Sequence, residues 1–521
     1  MNVLETPPRR ITALLQKGKI PVCVVGMGHV GLPLALLLAN QGVKVVGCDN
    51  NEAFLQQLRA GRSPIVEHSK NLFASSRVLP STCPNCGVRI LKVGRETFCP
   101  SCMREVKLSS GSVMLTTRLH KVGVRSEASH EMENLLAAAL RSGNLELTRD
   151  TSEGVSRSGI IVITVGTPID ANRQPDPGAI VSASKDIGRG LKEGDVVIVR
   201  STVSPGTTER LVGEILTKES GLEPGKGFGL AHVPETTIEG LALFELKTLP
   251  KMIGGVDKRS AAAAAALFSV FKTPVHFFDG PRITETAKLF LNIYRDVNIA
   301  LANEFALACE AVGVDVMKVI EATHVDPKTT VLTPGPGVGG YCLPKDAFYL
   351  TQPAALRGFV PNVITAARGV NDGMPSHVRQ LVLDALKEAH VDAPGARVTV
   401  LGLAFKGNTA DTRESPSLSV IEKLREDGAE ITVHDPLVKV DDKRSAVLKA
   451  RRGKSLRDSV RGADAVVVLT DHLEYRSLTG AGLKRIEPGL RVIVDARHIL
   501  DPNEARAAGL VYRGVGHGRI D

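Results

Sequence analysis

A cysteine stands in the run Gly335-Pro336-Gly337-Val338-Gly339-Gly340-Tyr341-Cys342-Leu343-Pro344-Lys345-Asp346, with an ammonium three residues on and a carboxylate next to it. Glycine at this density suits a loop whose backbone must approach a ligand. A nearby cation favours the thiolate, the reactive form of cysteine. By itself the motif leaves two readings open, a nucleophile or a small residue packed beside a loop. A second group of thiols follows another pattern. Cys83-Pro84-Asn85-Cys86 and Cys99-Pro100-Ser101-Cys102 form CxxC-x12-CxxC. Two such knuckles joined by a short, strand-like linker read as a zinc ribbon. Four thiolates suit a closed, structural Zn2+ site with no position left for substrate. Paired disulfides are the alternative, disfavoured in a reducing compartment.

Gly26-Met27-Gly28-His29-Val30-Gly31 follows one apolar run and opens another. Gly26 permits a tight turn, Gly28 lets the backbone approach a pyrophosphate, and Gly31 lets helix and strand pack closely. The helix N-terminus offers free N–H groups to phosphate. Asp49 ends the next strand, 18 residues after Gly31. An acid there accepts the ribose hydroxyls and repels a 2′-phosphate, which favours NAD over NADP. In Pro234-Glu235-Thr236-Thr237-Ile238-Glu239-Gly240 a helix would put Glu235 and Glu239 on one face, a pair that elsewhere is simply solvated. Ser201-Thr202-Val203-Ser204-Pro205-Gly206-Thr207-Thr208 follows a strand. It reads as a helix start capped by Thr207 or Thr208, or as a hydroxyl facing a cofactor crevice.

The elements that must position these groups fall into two similar sets. Ile20–Asp49 and Arg397–Asp435 each read as strand, glycine turn, helix and strand. Further strands are expected at Ile160–Val165 and Val196–Arg200, and at Ala465–Leu469 and Arg491–Val494. The fold class is therefore α/β, with two Rossmann-like doubly wound domains joined by a long central helix. That helix is expected over Ile283–Gly313, which has no Pro or Gly until its end. Its apolar positions cover most of its circumference, so it should be buried. One stripe is polar: Glu285, Lys288, Asn292, Arg295 and Asn303. Polar groups on a buried helix need partners, either in a neighbouring helix or subunit or in a site that the stripe lines.

With 521 residues, more than one core is expected. Trp is absent and aromatics are 4%, so the interior must be built from Ala, Val, Leu and Ile. The net charge of +9 favours anionic partners, a nucleotide diphosphate among them. The basic run from Lys443 to Arg457 is interrupted by Val447 and Leu448 and reads as a solvated helix face rather than a nucleic-acid patch. The other cysteines, Cys23, Cys48, Cys309 and Cys342, are scattered, which fits a reducing, cytoplasmic compartment better than a disulfide framework. No apolar run reaches the ~20 residues that a bilayer takes. The N-terminus lacks a signal-peptide core; Pro7, Pro8, Arg9 and Arg10 lead into a short amphipathic stretch.

Taken together and in this order, GMGHVGLPLA, VGTP (Val165–Pro168), STVSPGTT, PETTIEG, the Lys288/Asn292 helix, PGPGVGGYCLPKD and LGLAFKGNTADTRESPS (Leu401–Ser417) resemble the UDP-glucose/GDP-mannose dehydrogenase family. The resemblance runs from about Ile20 to the C-terminus apart from one insertion. It implies NAD-dependent oxidation of the C6 hydroxyl of a nucleotide-linked sugar to a carboxylate, a four-electron reaction that uses two NAD in turn. It implies Cys342 as the nucleophile that forms a thiohemiacetal and then a thioester, with Lys288 and Asn292 stabilising the oxyanions. It implies that Asp346, and Thr202 through a water, assist proton transfer and that Glu235 assists thioester hydrolysis. Glu239, Lys345 and Arg413 match family positions near the cofactor, beside His29, Val30, Gly166 and Thr167 of the glycine and VGTP motifs. Phe405, Lys406, Arg497 and the loop Thr333–Gly339, with Gly337 and Gly339, match positions that hold the nucleotide sugar. The second Rossmann-like domain, whose glycines (Gly402, Gly407) have lost the dinucleotide spacing, thus binds UDP rather than NAD. A homodimer or larger assembly through the 283–313 helix is expected on the same ground.

Two departures bear on the sugar. Thr236 stands where an Arg often follows the Glu in the acetamido-sugar branch, and Tyr341 replaces the His common there; PGPGVGG and the IEG spacing still resemble that branch. The reading is UDP-N-acetyl-D-mannosamine first, with UDP-N-acetyl-D-glucosamine or UDP-glucose as alternatives. The family pattern breaks after Ser63-Pro64-Ile65-Val66-Glu67 and resumes near Glu131-Met132-Glu133-Asn134-Leu135-Leu136, placing the zinc ribbon in a loop of the first domain. The expected domains are 1–230 (NAD-binding, with the insertion at 68–129), 231–391 (central, carrying the cysteine loop) and 392–521 (UDP-sugar-binding). A zinc-ribbon nucleic-acid-binding protein would leave Cys342, Lys288 and Asn292 unexplained. A two-electron enzyme that stops at the aldehyde would leave the loop cysteine idle.

Overall fold

The computed structural model describes residues 2–65, 131–238, 240–326, 328–439, 442, 444 and 450–517, and the backbone of five strands between 76 and 119. The chain divides into two compact units. One comprises Met1–Lys70, Glu127–Asn292 and Lys345–Val360; the other comprises Asn71–Ser126, Ile293–Pro344 and Pro361–Asp521.

The first unit is built on an eight-stranded sheet in the order Val275–Phe278, Lys251–Gly255, Gly229–His232, Val196–Val199, Ile160–Ile163, Val22–Val25, Val45–Cys48, Leu145–Thr148. All neighbours are parallel except Gly229–His232 against Lys251–Gly255. The central runs VCVV, IIVI and VVIV are buried throughout, as a parallel sheet covered on both faces requires. Strand order reverses beside Val22–Val25, so a crevice opens at the carboxyl ends there. The Gly31–Ala39 helix is apolar all round because it lies beneath the Glu131–Arg141 helix and is buried at every residue. The N-terminal amphipathic stretch forms a helix, Pro8–Gln16, that buries Ile11 and Leu15.

The second unit carries a six-stranded, all-parallel sheet in the order Arg451–Arg452, Glu430–His434, Arg397–Leu401, Ala465–Val468, Val492–Asp495, Val511–Gly514. It repeats the strand order of the first sheet around its glycine turn. The Asn362–Glu388 helix packs on the Pro416–Glu426 helix and on the last two strands. In the insertion, Ser76–Thr82, Arg89–Val93, Glu96–Phe98, Arg104–Ser109 and Ser112–Leu119 form an antiparallel meander. Cys83, Cys86, Cys99 and Cys102 lie outside the described residues; the expected strand-like linker between the two pairs is the Arg89–Val93/Glu96–Phe98 hairpin.

Three local expectations are corrected. The long helix runs Pro281–Ala311, but it is not buried all round: Phe290, Leu291 and Tyr294 are exposed, Tyr294 by 73%. This chain covers only the face carrying Leu289, Ile293, Ala300 and Ala306. Within the basic run, Arg444 and Leu456–Val460 are helical but Arg451–Arg452 is an edge strand; residues 443 and 445–449 lie outside the described residues. The helix that would put Glu235 and Glu239 on one face does not form over 233–238, so that alternative for PETTIEG drops out. There the Glu235 carboxylate accepts the N–H of Thr237, two residues on, and the Glu245 carboxylate accepts that of Ile238. Such side-chain capture of backbone donors competes with a helix. Among the described residues no helix is long and apolar enough to cross a membrane.

Candidate active site

In the first unit the turn after Val22–Val25 has the geometry that a dinucleotide needs. Gly26 has φ +94° and donates its N–H to the Cys48 carbonyl at 2.8 Å. A Cβ on Gly31 would stand 1.9 Å from the Gly26 carbonyl oxygen, whereas one on Gly28 would meet nothing within 4 Å. Gly31 is therefore required by the protein's own packing. The open space at Gly28 is room for a ligand. Gly28 and His29 are exposed and Val30 is half-buried at the start of the helix. Asp49 is half-buried; its Oδ2 accepts the Met27 N–H at 2.9 Å and its Oδ1 the Asn51 N–H at 3.0 Å, which leaves lone pairs directed outward.

Neighbouring loops are tied to one another. Thr167 Oγ1 donates to the Thr202 carbonyl at 2.8 Å and Ser201 Oγ to that of Val165 at 2.6 Å, so exposed Gly166 and half-buried Thr202 are held by the loops after two adjacent strands. Neither Thr207 nor Thr208 caps the helix that follows. The capping group is Glu285, whose carboxylate accepts the N–H groups of Gly206 at 2.5 Å and Thr208 at 2.7 Å. Gly206 at φ +93° turns those donors toward a carboxylate that no local side chain supplies.

The polar stripe of the long helix thus separates by role. Glu285 is a cap. Lys288 and Asn292 are buried, and Asn292 Nδ2 donates to Asp346 at 2.5 Å. Asp346 is fully buried and also takes the Lys345 ammonium at 2.7 Å. Lys345 lies 4.8 Å over the Tyr349 ring, and the Tyr349 hydroxyl donates to the Pro168 carbonyl at 2.9 Å. The helix after the cysteine is thereby tied to the VGTP loop. Glu235 is paired with Arg200, a partner the sequence reading missed. Burial pushes the Glu235 carboxyl up, but the Arg200 guanidinium, the Thr237 N–H and Lys251 outweigh it and hold it at about 2. His232, one strand residue away from Val233, is kept neutral by burial, at about 3, and its Nδ1 meets Thr284 Oγ1 at 2.9 Å. Glu239 lies outside the described residues.

In the second unit Cys342 is exposed and takes part in no disulfide. Its loop is pinned at both ends. Gly335 donates its N–H to Asn303 Oδ1 at 2.9 Å, and Gly340 (φ +89°) donates to the Arg413 carbonyl at 2.8 Å. Asn303 in turn donates to Asn371, which donates to Asp296, a buried chain that also takes in Arg368. A Cβ on Gly339 would stand 2.6 Å from the Phe405 Cβ, and one on Gly340 2.8 Å from its ring. These two glycines serve close packing on Phe405 at least as much as approach to a ligand. Gly337, at φ +120°, sits against Asn371 and Pro375. Arg413 forms a bidentate pair with Asp411 and lies 5.4 Å over the Tyr341 ring, so it braces the residue before the cysteine. Arg497 donates to the carbonyls of Leu469 at 2.8 Å and Phe405 at 2.9 Å. Phe405 and Lys406 are half-buried beside it.

The two Rossmann-like domains differ where a ribose acid is expected. Asp435 ends its strand as Asp49 does, but its carboxylate is fully buried. It accepts the N–H groups of Leu403, Ala404, Leu437 and Val438 and pairs with His472 at 3.1 Å. Burial pushes its carboxyl up, and His472 and the backbone donors more than reverse this, holding it well below the usual range. The acid is consumed in shaping the turn before Phe405, and a Cβ on Gly402 would stand 2.2 Å from Thr470. The first domain fits NAD and the second does not. Arg200, Tyr349 and the Asp435–His472 pair were not singled out from sequence, whereas Asn303 was, as part of the polar stripe. Arg200 alone left a trace, a charge at the end of VVIV. Among the described residues, no cluster of three or more His, Cys, Asp or Glu is placed to hold a metal ion.

Comparison with known proteins gives three matches to the descriptions of one family. The NAD binding domain of the UDP-glucose/GDP-mannose dehydrogenase family matches residues 20–78 and 122–272, its central domain 282–373, and its UDP binding domain 399–502. The first match pauses inside the insertion. A UDP-N-acetyl-D-mannosamine dehydrogenase of Pyrococcus horikoshii is 31% identical over 501 residues, 96% of this chain and 100% of its own. A solved structure of UDP-D-ManNAc dehydrogenase from Pyrococcus horikoshii matches with a TM-score of 0.76 at 30% identity, covering 96% of this chain and 100% of that one. A UDP-N-acetyl-D-glucosamine 6-dehydrogenase of Pseudomonas aeruginosa is 30% identical over 354 residues, 68% of this chain and 83% of its own.

Proposed function

Because this chain belongs to the UDP-glucose/GDP-mannose dehydrogenase family and is an NAD-dependent nucleotide-sugar 6-dehydrogenase, we propose that it converts the C6 hydroxyl of UDP-N-acetyl-D-mannosamine to a carboxylate through Cys342. The observation that carries the covalent step is the exposed thiol of Cys342 on a loop pinned through Gly335 and Gly340. NAD, held by Gly26, Gly28, Gly31 and Asp49, supplies a hydride acceptor for each of the two oxidations. An aldehyde carbon releases a second hydride readily only once it is tetrahedral. The Cys342 thiolate forms an S–C6 bond, and the former carbonyl oxygen carries the charge. After oxidation this is a thioester. Water then forms a C6–O bond as the C6–S bond breaks, and the sulfur leaves as thiolate or takes the proton.

Lys288 and Asn292 donate to each oxyanion; removing one such donor typically costs ~10²–10³ in rate. Asp346 holds Asn292 and Lys345 in place and, with Thr202 through a water, handles the proton of the alcohol. Phe405, Lys406, Arg497, Gly337 and Gly339 hold the UDP-sugar, and Lys345, Arg413 and Glu239 belong to the cofactor side. The reading extends to a cytoplasmic enzyme that assembles as a homodimer or larger through the 283–313 helix, whose exposed Phe290, Leu291 and Tyr294 support it. It also gives Cys83, Cys86, Cys99 and Cys102 a structural Zn2+, on the chemistry of a four-thiolate set.

The test is product analysis with a panel of UDP-sugars and NAD, with two NADH expected per sugar acid formed. Cys342→Ser is expected to bind NAD and form no acid. Full activity in that variant refutes the covalent route, and inertness toward every acetamido sugar refutes the substrate. UDP-N-acetyl-D-glucosamine is the second reading, supported by the Pseudomonas aeruginosa relative.

A further inference from the structure

We infer that Arg200 is the positioning residue of Glu235: its buried guanidinium fixes the Glu235 carboxylate in one orientation, as a charged acceptor and not a proton donor. The inference rests on the reading of Glu235 as a group of the reaction and says in which form it acts.

Three adjacent strands bring the cluster together at one end of the first sheet. Arg200 follows Val196–Val199, Glu235 follows Gly229–His232, and Lys251 begins the antiparallel strand Lys251–Gly255, so all three meet at the carboxyl end of the parallel strands. Both Glu235 oxygens are engaged: Oε2 by Arg200 Nη2 and Oε1 by the Thr237 N–H at 2.6 Å. Each oxygen keeps a lone pair, so the carboxylate can still accept a hydrogen bond from substrate or water. Arg200 is 1% exposed, donates to the Val233 carbonyl at 3.4 Å and has its guanidinium 4.9 Å over the Phe268 ring. The plane of its fork is thus set by a ring, a carbonyl and a carboxylate.

A guanidinium placed there for stability alone is a poor choice. Its Nε is buried without a hydrogen-bond partner among the described residues, and an apolar chain of similar volume would avoid that cost. What an apolar chain could not do is hold the carboxylate. The other charged and titratable groups around Glu235 are few. Lys251 is pushed down to about 8, by burial first and Arg200 second, and donates to the Leu249 carbonyl at 2.7 Å. Glu245 spends its Oε2 on Ile238, and His232 is neutral. Among the described residues, Arg200 is the one cation that donates a hydrogen bond to the Glu235 carboxylate. With it in place the carboxyl sits at about 2, and Glu235 is ionised at any physiological pH. Without it burial, the largest single influence on this carboxyl, is opposed by the Thr237 N–H and Lys251 alone, and the carboxyl is expected to rise.

The experiment compares Arg200→Met, Arg200→Lys and Glu235→Gln in the full chain supplied with NAD and UDP-N-acetyl-D-mannosamine, following kcat and KM against pH. Wild type is expected to show no acid limb from Glu235 above about pH 3. Arg200→Met is expected to gain one with its midpoint between about pH 5 and 8, kcat falling about tenfold per unit below it and recovering toward wild type on the alkaline side. Arg200→Lys restores the charge and is expected to abolish that limb. It keeps a reduced kcat, because an ammonium lacks the planar fork. It also keeps the test decisive if Arg200→Met does not fold, since an Arg200→Lys enzyme with wild-type kcat would show that the fork does not matter. If Glu235→Gln keeps wild-type kcat, Glu235 lies outside the reaction and the parent reading fails. If Glu235→Gln loses kcat while Arg200→Met keeps the wild-type profile, this inference alone is overturned.

Discussion

Gly28 and Gly31 offer a pair of identical substitutions with opposite expected outcomes. Adding a methyl group at Gly31 places carbon 1.9 Å from the Gly26 carbonyl oxygen and 2.6 Å from Thr164 Oγ1. Ordinary contact needs about 3.4 Å, so helix and turn must separate by more than an ångström in a region where every residue of the helix is buried. Overpacking on this scale costs about 1–3 kcal/mol, which for a domain of this size is roughly 2–12 °C in Tm. The methyl at Gly28 meets nothing within 4 Å, and Gly28 does not have a positive φ. There Gly28→Ala should leave stability unchanged or raise it by at most about 1 kcal/mol, through the unfolded chain, so Tm does not fall. The same methyl would occupy the space through which a pyrophosphate reaches the backbone. Loss of one charge-assisted hydrogen bond is worth about 1.5–3 kcal/mol, so the NAD Kd should rise about 10- to 150-fold. Differential scanning fluorimetry and NAD titration of the two variants provide the check. A Gly28→Ala protein that binds NAD as wild type does would refute the placement of the cofactor on this turn, and a Gly31→Ala protein with unchanged Tm would refute the packing argument.

Three further outcomes follow from other parts of the chain. Asp315 caps the Val316–Thr323 helix and pairs with His517 at 3.0 Å; burial pushes its carboxyl up, but His517 and the Met317 and Lys318 N–H groups hold it at about 2. Because this value is depressed, its stabilisation is complete above about pH 4 and is lost as pH falls toward 2. Asp315→Asn is expected to cost about 1–2 kcal/mol at pH 7, with the Tm gap to wild type closing below pH 4 in a melt series. Asp435→Asn leaves backbone donors of the turn before Phe405 poorly matched and removes the partner of His472, at a cost of about 3–5 kcal/mol. Where it folds, KM for the UDP-sugar should rise while the NAD Kd, measured by titration, stays put. Metal analysis should find one zinc per chain, and a strong chelator should lower Tm while leaving the NAD Kd unchanged; absence of zinc in protein purified without chelator would refute the ribbon.

Much of the architecture was legible because it is written in local pattern. VCVV, IIVI and VVIV can only be strands buried on both faces, and the glycine spacing after the first, with an acid after the second, marks a dinucleotide turn before any contact is known. The motifs around Cys342, Lys288 and Asn292 likewise carried the resemblance to the family. What could not be read were the partners brought in from a distance. Glu285 lies far along the chain from the Gly206–Thr208 turn that it caps, and nothing in STVSPGTT shows that the cap comes from outside. Nothing in PETTIEG shows that its first carboxylate turns back to the Thr237 N–H and pairs with Arg200, which arrives from a neighbouring strand.

The sequence alone determined the class of fold, the family and the class of reaction, since these follow from short-range spacing of glycines, acids and apolar runs. Only the tertiary structure decided which polar groups are free to act. Asp49 and Asp435 end equivalent strands, but one is half-buried and accepts two backbone N–H groups while the other is fully enclosed by four backbone donors and His472. Gly339 and Gly340 pack closely on Phe405 where a reading by motif assigns glycine to the ligand. The reason is that a side chain's charge and availability depend on what surrounds it in three dimensions, and parallel strands bring together residues that the chain itself keeps tens of positions apart.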